Sequence, residues 1–224
     1  MITRIVPSGD SMLLVEFEEE ISPLTSALVL ALDRQIGRQG PSGIIECVPS
    51  YRSLAVFYDP LKLSPSRLER WILDQANTSP KLPEQVPRKV EIPVVYGGTM
   101  GPDLETVAKE HNLTGSEVVS IHTDPEYRVY LIGFSPGFPY LGGLSKRLFT
   151  PRRKTPRRLV PAGSVGIGGE QTGIYTNDTP GGWQIIGRTP LRLFNLRNSP
   201  ACLLEPGDLV TFRSIPLSAF DESL

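Results

Sequence analysis

The stretch from Ile132 to Gly187 opens as IGFSPGFPYLGGL (132–144) and continues as TPRRKTPRRLVPAGSVGIGGEQTGIYTNDTPGGWQIIG (150–187). Glycine and proline recur every few residues. Glycine supplies backbone with positive φ, and proline fixes φ and removes a donor. Between them stand Phe134, Phe138, Tyr140, Val165, Ile167, Tyr175, Trp183 and Ile185. Disordered tracts are depleted in such residues. The pattern therefore predicts short strands joined by many turns, with the turns lining a surface.

The same character extends outward on both sides. From Tyr127 the apolar period is 2 or continuous, through RVYLIGF, LVPAGSVGI, TGIYT, WQIIG, LRLF and DLVTF. Short strands with turns between them predict a closed β-barrel. Upstream, Asp103 to Glu110 reads as a helix, and Thr114-Gly-Ser-Glu117 as a capping box that starts another, leading to His122.

The N-terminal half is different. Residues 11–17 read as a strand, and Ser22-Pro23 as an N-cap followed by proline at the first helical position. Two strands at 44–48 and 54–58, a second helix starting at Ser64-Pro65, and a strand at 89–96 complete a β-α-β-β-α-β order. That order predicts a ferredoxin-like α/β sandwich. The 89–96 strand, interrupted by Pro93, is alternatively the first of the second domain. The boundary is placed at 88/89, giving an N-terminal α+β domain (1–88) and a C-terminal domain (89–224).

A net charge of −1 offers no global field to recruit nucleic acid or a membrane surface. Two cysteines far apart, Cys47 and Cys202, argue against a disulfide framework and for a reducing, cytoplasmic setting. No apolar run approaches the ~20 residues of a membrane span, and MITRIVPSGD carries no secretory signal pattern. There is no GxxxxGK[ST] loop, no GxGxxG after a strand and no GxSxG elbow. Gly166-Ile-Gly168-Gly169 lacks a following helix and reads as a hairpin. No His/Cys cluster has metal spacing, so no metal site is expected.

Candidate polar groups carry two readings each. His122 ends a helix, where an imidazole either meets the helix dipole or contacts a substrate. The five cations of residues 152–158 form a solvated loop, or bind a carboxylate or phosphate. Gln171-Thr172-Gly173-Ile174-Tyr175 either satisfies buried backbone or orients a small polar ligand. The set Phe134, Phe138 and Tyr140 suits an exposed apolar patch that meets a partner.

The blocks GFSPGFPYLGGL (133–144), TPR (150–152), VPAGSVGIGG (160–169), QTGIY (171–175) and TPGGWQIIGRT (179–189) closely resemble one family. It contains the B-type subunits of 5-oxoprolinase, KipI-type kinase inhibitors and allophanate hydrolase subunit 1. EIPVVYGGTMGPDLETVA (91–108) and SEVVSIHT (116–123) resemble it too. The resemblance implies an N-terminal α+β domain and a C-terminal cyclophilin-like β-barrel. It implies a non-autonomous enzyme component that opens 5-oxo-L-proline to L-glutamate together with the C-type and A-type subunits of 5-oxoprolinase. ATP would be used by the complex and not bound by this chain alone. Within the matching blocks His122 and Gln171 are the expected catalytic groups, and Arg152, Ser164 and Tyr175 the expected substrate-binding groups.

A second branch of the family inhibits a sporulation sensor histidine kinase through the same barrel. IIECVPSYRSLAVFYDP (44–60) and GLSKR (143–147) resemble that branch. A third relative is the allophanate hydrolase and urea carboxylase group, in which biotin takes part. This chain carries no biotin-carrier sequence.

Overall fold

The computed structural model describes residues 1–19, 21–77 and 87–220. The chain divides into two compact units, Met1–Val86 and Pro87–Leu224.

The first unit runs β1 (Ile2–Pro7), β2 (Met12–Phe17), α1 (Pro23–Gln39), β3 (Ile44–Pro49), β4 (Ser53–Tyr58) and α2 (Pro65–Asn77). Its sheet has the order β1-β2-β4-β3 and every neighbour is antiparallel. Alternation along β2 and β4 buries Leu13, Val15, Phe17, Leu54, Val56 and Tyr58 on one face. Val29, Leu32 and Ile36 of α1 and Leu68 and Ile72 of α2 complete that core. Ser22 caps α1 as its sequence predicts: its side chain accepts from the Thr25 amide at 3.1 Å, with Pro23 next in line.

The expected β-α-β-β-α-β order is corrected at its start, and at its end the alternative given for the 89–96 strand holds. Residues 2–7 form an additional strand, which takes the edge beside β2. The strand β5 (Lys89–Tyr96) leaves this sheet and enters the second unit, pairing in parallel with β13 (Leu209–Ser214). Pro93 is tolerated there because the second partner of β5 pairs only at Val95 and Tyr96.

The second unit continues with α3 (Leu104–Glu110), α4 (Gly115–Thr123), β6 (Tyr127–Ile132), β7 (Pro139–Gly142), β8 (Arg157–Val160), β9 (Ser164–Gly168), β10 (Gln171–Ile174), β11 (Thr179–Gly181) and β12 (Gln184–Arg188). Seven strands close into a barrel in the order β10-β7-β6-β13-β5-β12-β9. Closure removes exposed sheet edges and lets short strands enclose a core. Ile92, Val94, Val129, Leu141, Val165, Ile167, Ile174, Ile186 and Val210 belong to that core, with Leu104, Val107 and Val118 of the two helices packed on it. The capping box is present: Thr114 accepts from the Glu117 amide at 3.2 Å, and Glu117 accepts from the Thr114 amide at 2.8 Å. Strands β8 and β11 pair as a separate ribbon that carries the basic loop.

Gly166–Gly169 is a hairpin, with β9 and β10 joined through Gly169 at φ 67°. Other glycines of the opening stretch make room for rings. An added Cβ at Gly168 would strike the Trp183 indole, and one at Gly181 the Tyr175 hydroxyl.

Candidate functional site

Two aromatic clusters lie in the barrel unit, and they differ in how their polar atoms are used. The first surrounds His122, which is fully buried. Its ring lies 4.6 Å from that of Phe212 and 5.4 Å from that of Tyr127. The Thr172 hydroxyl donates to the Gly166 carbonyl at 3.0 Å, so it accepts from His122 Nε2–H at 2.9 Å. His122 Nδ1 then accepts from the Tyr96 hydroxyl at 2.8 Å. The geometry thus selects the neutral Nε2–H tautomer. Tyr127 donates to the His122 carbonyl at 2.8 Å. Burial pushes the His122 pKa down to about 3 and that of Tyr96 well above its ordinary value.

The second cluster opens to the surface as a recess of about 230 Å³. Hairpin β6–β7 supplies Phe134, Phe138 and Tyr140, the segment after β10 supplies Tyr175, and Gly181, Gly182 and Trp183 close the far wall. The rings meet edge to face: Phe138 to Trp183 at 5.5 Å, Phe138 to Tyr175 at 5.2 Å and Tyr140 to Trp183 at 5.9 Å. This is the favoured geometry for ring quadrupoles. Arg152 sits at the mouth, its guanidinium carbon 5.7 Å from the Trp183 ring centroid. Burial raises the Tyr175 pKa, against the opposing pull of the Trp183 amide and of Arg152 and Arg157. The phenol is therefore neutral at ordinary pH.

The basic run divides its labour. Asp103, 3% exposed, takes Arg157 on Oδ1 at 2.6 Å and Arg153 on the same oxygen at 3.2 Å. Its Oδ2 accepts from the Ile185 amide at 2.6 Å. The carboxylate makes no capping bond to its own helix α3. It ties the helix start, the barrel strand β12 and the basic loop together. The Arg153 amide adds a bond to the Gly182 carbonyl at 2.7 Å. Lys154, Arg158 and Arg152 remain on the surface.

Among the residues expected at the site, Arg152 and Tyr175 come together in the recess. Ser164 is 1% exposed at the start of β9, where its carbonyl accepts from the Tyr175 amide at 2.9 Å. Gln171 opens β10, paired with Gly168 across the hairpin, and does not line the recess. His122 belongs to the sealed cluster. Phe138 and Tyr140, read from sequence as part of an apolar patch, line the recess together with Trp183. Asp103 is read from sequence only as the start of a helix, and local spacing carries no sign of its arginine partners.

Comparison with known proteins bears on the whole chain. The family model for the carboxyltransferase domain, subdomain C and D, matches residues 3–204. The chain is 47% identical over 219 residues to the B-type subunit of 5-oxoprolinase from Bacillus subtilis (strain 168), covering 93% of this chain and 91% of that one. It is 44% identical over 209 residues to the protein of the same name from Haemophilus influenzae, covering 93% and 96%. The crystal structure of TTHA0988 superposes with a TM-score of 0.81 at 38% identity over 92% of this chain, which spans 40% of that longer protein. The Kluyveromyces lactis urea carboxylase shares the fold at a TM-score of 0.75 and 22% identity, with this chain spanning 22% of its length. The chain belongs to the carboxyltransferase subdomain C and D family, in company with relatives named as the B-type subunit of 5-oxoprolinase.

Proposed function

We propose that the chain is the B-type subunit of a 5-oxoprolinase and that the aromatic recess holds 5-oxo-L-proline. The observation that carries this reading is Arg152 lying over Trp183 at the mouth of a small aromatic pocket. The lactam is a flat five-membered ring with one carboxylate. Arg152 would take the carboxylate in a bidentate pair, and the rings would cover the faces of the lactam. Tyr175, held neutral, would donate to the lactam oxygen and stabilise the charge that gathers there as the ring opens. His122, Ser164 and Gln171 we assign to the frame that holds β9 and β10 behind Tyr175. Convergence of a cation and a phenol in a cleft favours this over kinase inhibition, which needs only an apolar patch.

ATP does not suit the recess, whose 230 Å³ is below the roughly 300–1,000 Å³ of pockets for larger ligands. We assign its binding, and the activation of the lactam, to the C-type and A-type partners. The complete reaction is ring opening by water to L-glutamate, coupled to ATP hydrolysis in a cytoplasmic complex. We also read the barrel as cyclophilin-like, and the first unit as a ferredoxin-like sandwich whose edge strand comes from the N-terminus.

The test is glutamate release by the complex reconstituted from all its subunits. Arg152→Ala should lower kcat/KM about 10- to 100-fold, the worth of a charged hydrogen bond. Most of the loss should appear in KM, with the thermal midpoint unchanged. Unaltered turnover would sink the assignment.

A further inference from the structure

Phe134 is the exception in the recess. The other rings are buried or half-buried, whereas Phe134 is 62% exposed. Its φ is 63°, a region that side chains other than glycine rarely adopt. The Ser135 amide donates back to the Gly133 carbonyl at 2.7 Å. Phe134 is thus the centre of a γ-turn of the strained hand. The rest of the tip is held by four further hydrogen bonds. The Phe138 amide donates to the Ser135 carbonyl and the Gly133 amide to the Phe138 carbonyl, each at 3.0 Å. Thr176 Oγ1 donates to the Pro136 carbonyl at 2.7 Å and accepts from Ser135 Oγ at 3.2 Å.

Such surroundings are what allow a strained residue to persist, and residues of this kind cluster at functional sites. Stability does not explain a phenylalanine here. Glycine would relieve the turn and forfeit little buried surface. The ring is nevertheless aimed: it stands edge-on to Phe138 at 5.4 Å and to Tyr175 at 6.2 Å.

We infer that Phe134 is a substrate-contacting specificity residue, whose ring roofs the recess and selects a planar cyclic acid over its open-chain product. This rests on the reading of the recess as the lactam site. A flat ring anchored by its carboxylate at Arg152 presents a face to Phe134. The opened chain of glutamate has no such face, so the contact is lost as the ring breaks and the product is released.

The experiment compares wild type, Phe134→Gly, Phe134→Ala and Arg152→Ala in the reconstituted complex. It measures KM and kcat for 5-oxo-L-proline, inhibition by L-glutamate, assembly of the complex and thermal midpoints. Both Phe134 variants should raise KM about 3- to 10-fold, the worth of one aromatic contact. kcat and glutamate inhibition should stay within about twofold of wild type, a span of only about 0.4 kcal/mol. Phe134→Gly should melt at or above wild type and about 2–4 °C above Phe134→Ala, since only alanine keeps the strain. An unchanged KM in Phe134→Gly beside an impaired Arg152→Ala overturns the role of Phe134 alone. Unchanged kinetics in both overturns the recess as the substrate site. A Phe134→Gly defect confined to assembly overturns the inference in favour of a partner contact. A fall in its melting temperature below alanine's overturns it in favour of a structural ring.

Discussion

The two aromatic clusters of the barrel both rest on Phe and Tyr rings and end in opposite states. Around His122, Tyr96 and Thr172 pair both ring nitrogens, and the imidazole and Thr172 are out of water. Around Trp183 the rings pack against one another but leave a recess, with a guanidinium at its mouth. The difference is the supply of partners. A histidine inside a barrel must be satisfied, since an unpaired buried polar group costs about 1–3 kcal/mol. A wall of rings has few polar atoms to satisfy and can remain open. Titratable chemistry is therefore silenced in the first cluster and left available at the rim of the second.

The anchor beneath the open cluster should give the largest effect on stability. Asp103 holds two arginines and the Ile185 amide while almost wholly buried. Its removal leaves the half-buried Arg157 and the buried Ile185 amide unpaired, at a cost of about 2–3 kcal/mol. Asp103→Ala should lose that much in urea unfolding and also release the 151–158 loop. Asp103→Asn, which keeps an acceptor for Ile185, should lose less. If alanine costs under about 1 kcal/mol, the clamp behaves as an exposed ion pair and the floor of the recess is held by packing alone.

The sealed cluster predicts a pH effect. Folding depresses the His122 pKa from an unfolded value near 6.5 to about 3. The unfolded chain then binds more protons below pH 6.5, so stability is complete above that value and falls as the pH drops towards the folded pKa. Between pH 7.5 and 5 the loss attributable to His122 should be about 2 kcal/mol. Tyr96 and Tyr127, which face the ring, stay neutral throughout and add nothing. Denaturant titrations at both pH values should show this slope in wild type and its absence in His122→Gln. Ring nitrogen signals at pH 5 should still report the Nε2–H tautomer. An imidazolium there would mean that water reaches the cluster, and the contrast with the recess would disappear.

What could be read in advance follows the range of the interactions. Caps and turns are local, so Ser22, Thr114 with Glu117, and the β9–β10 hairpin were legible from a few residues. The barrel was legible because alternation and turn spacing repeat along it. Strand β1 was not: ITRIVP has weak alternation, and its place is decided by the register of β2, Pro7 opposite Leu13 at one end and Ile2 opposite Phe17 at the other. The destination of β5 is set by a partner more than a hundred residues away. At the site, Arg152 and Tyr175 stand in blocks whose turns already imply a surface. His122 and Asp103 differ from exposed residues of the same kind only in what packs on them, and local spacing carries no record of that. The run of five cations looked uniform, yet Arg153 and Arg157 reach Asp103 while Arg152 lies over the indole.

The smallest effect tests how far the open cluster is chemical and how far it is only a shaped wall. Tyr175→Phe keeps the ring, its contact with Phe138 and its burial, and removes one hydroxyl. The loss of a neutral hydrogen bond is worth about 0.5–1.5 kcal/mol, so kcat/KM should fall about 3- to 10-fold. A donor to the developing oxyanion acts in the transition state, which places the loss in kcat with KM nearly constant. Burial lifts the phenol above its ordinary pKa, so wild type should show no inflection from Tyr175 between pH 7 and 10. A loss carried entirely by KM would make the hydroxyl a binding contact. No loss at all would leave the wall of the recess chemically inert, with Arg152 as its only polar instrument.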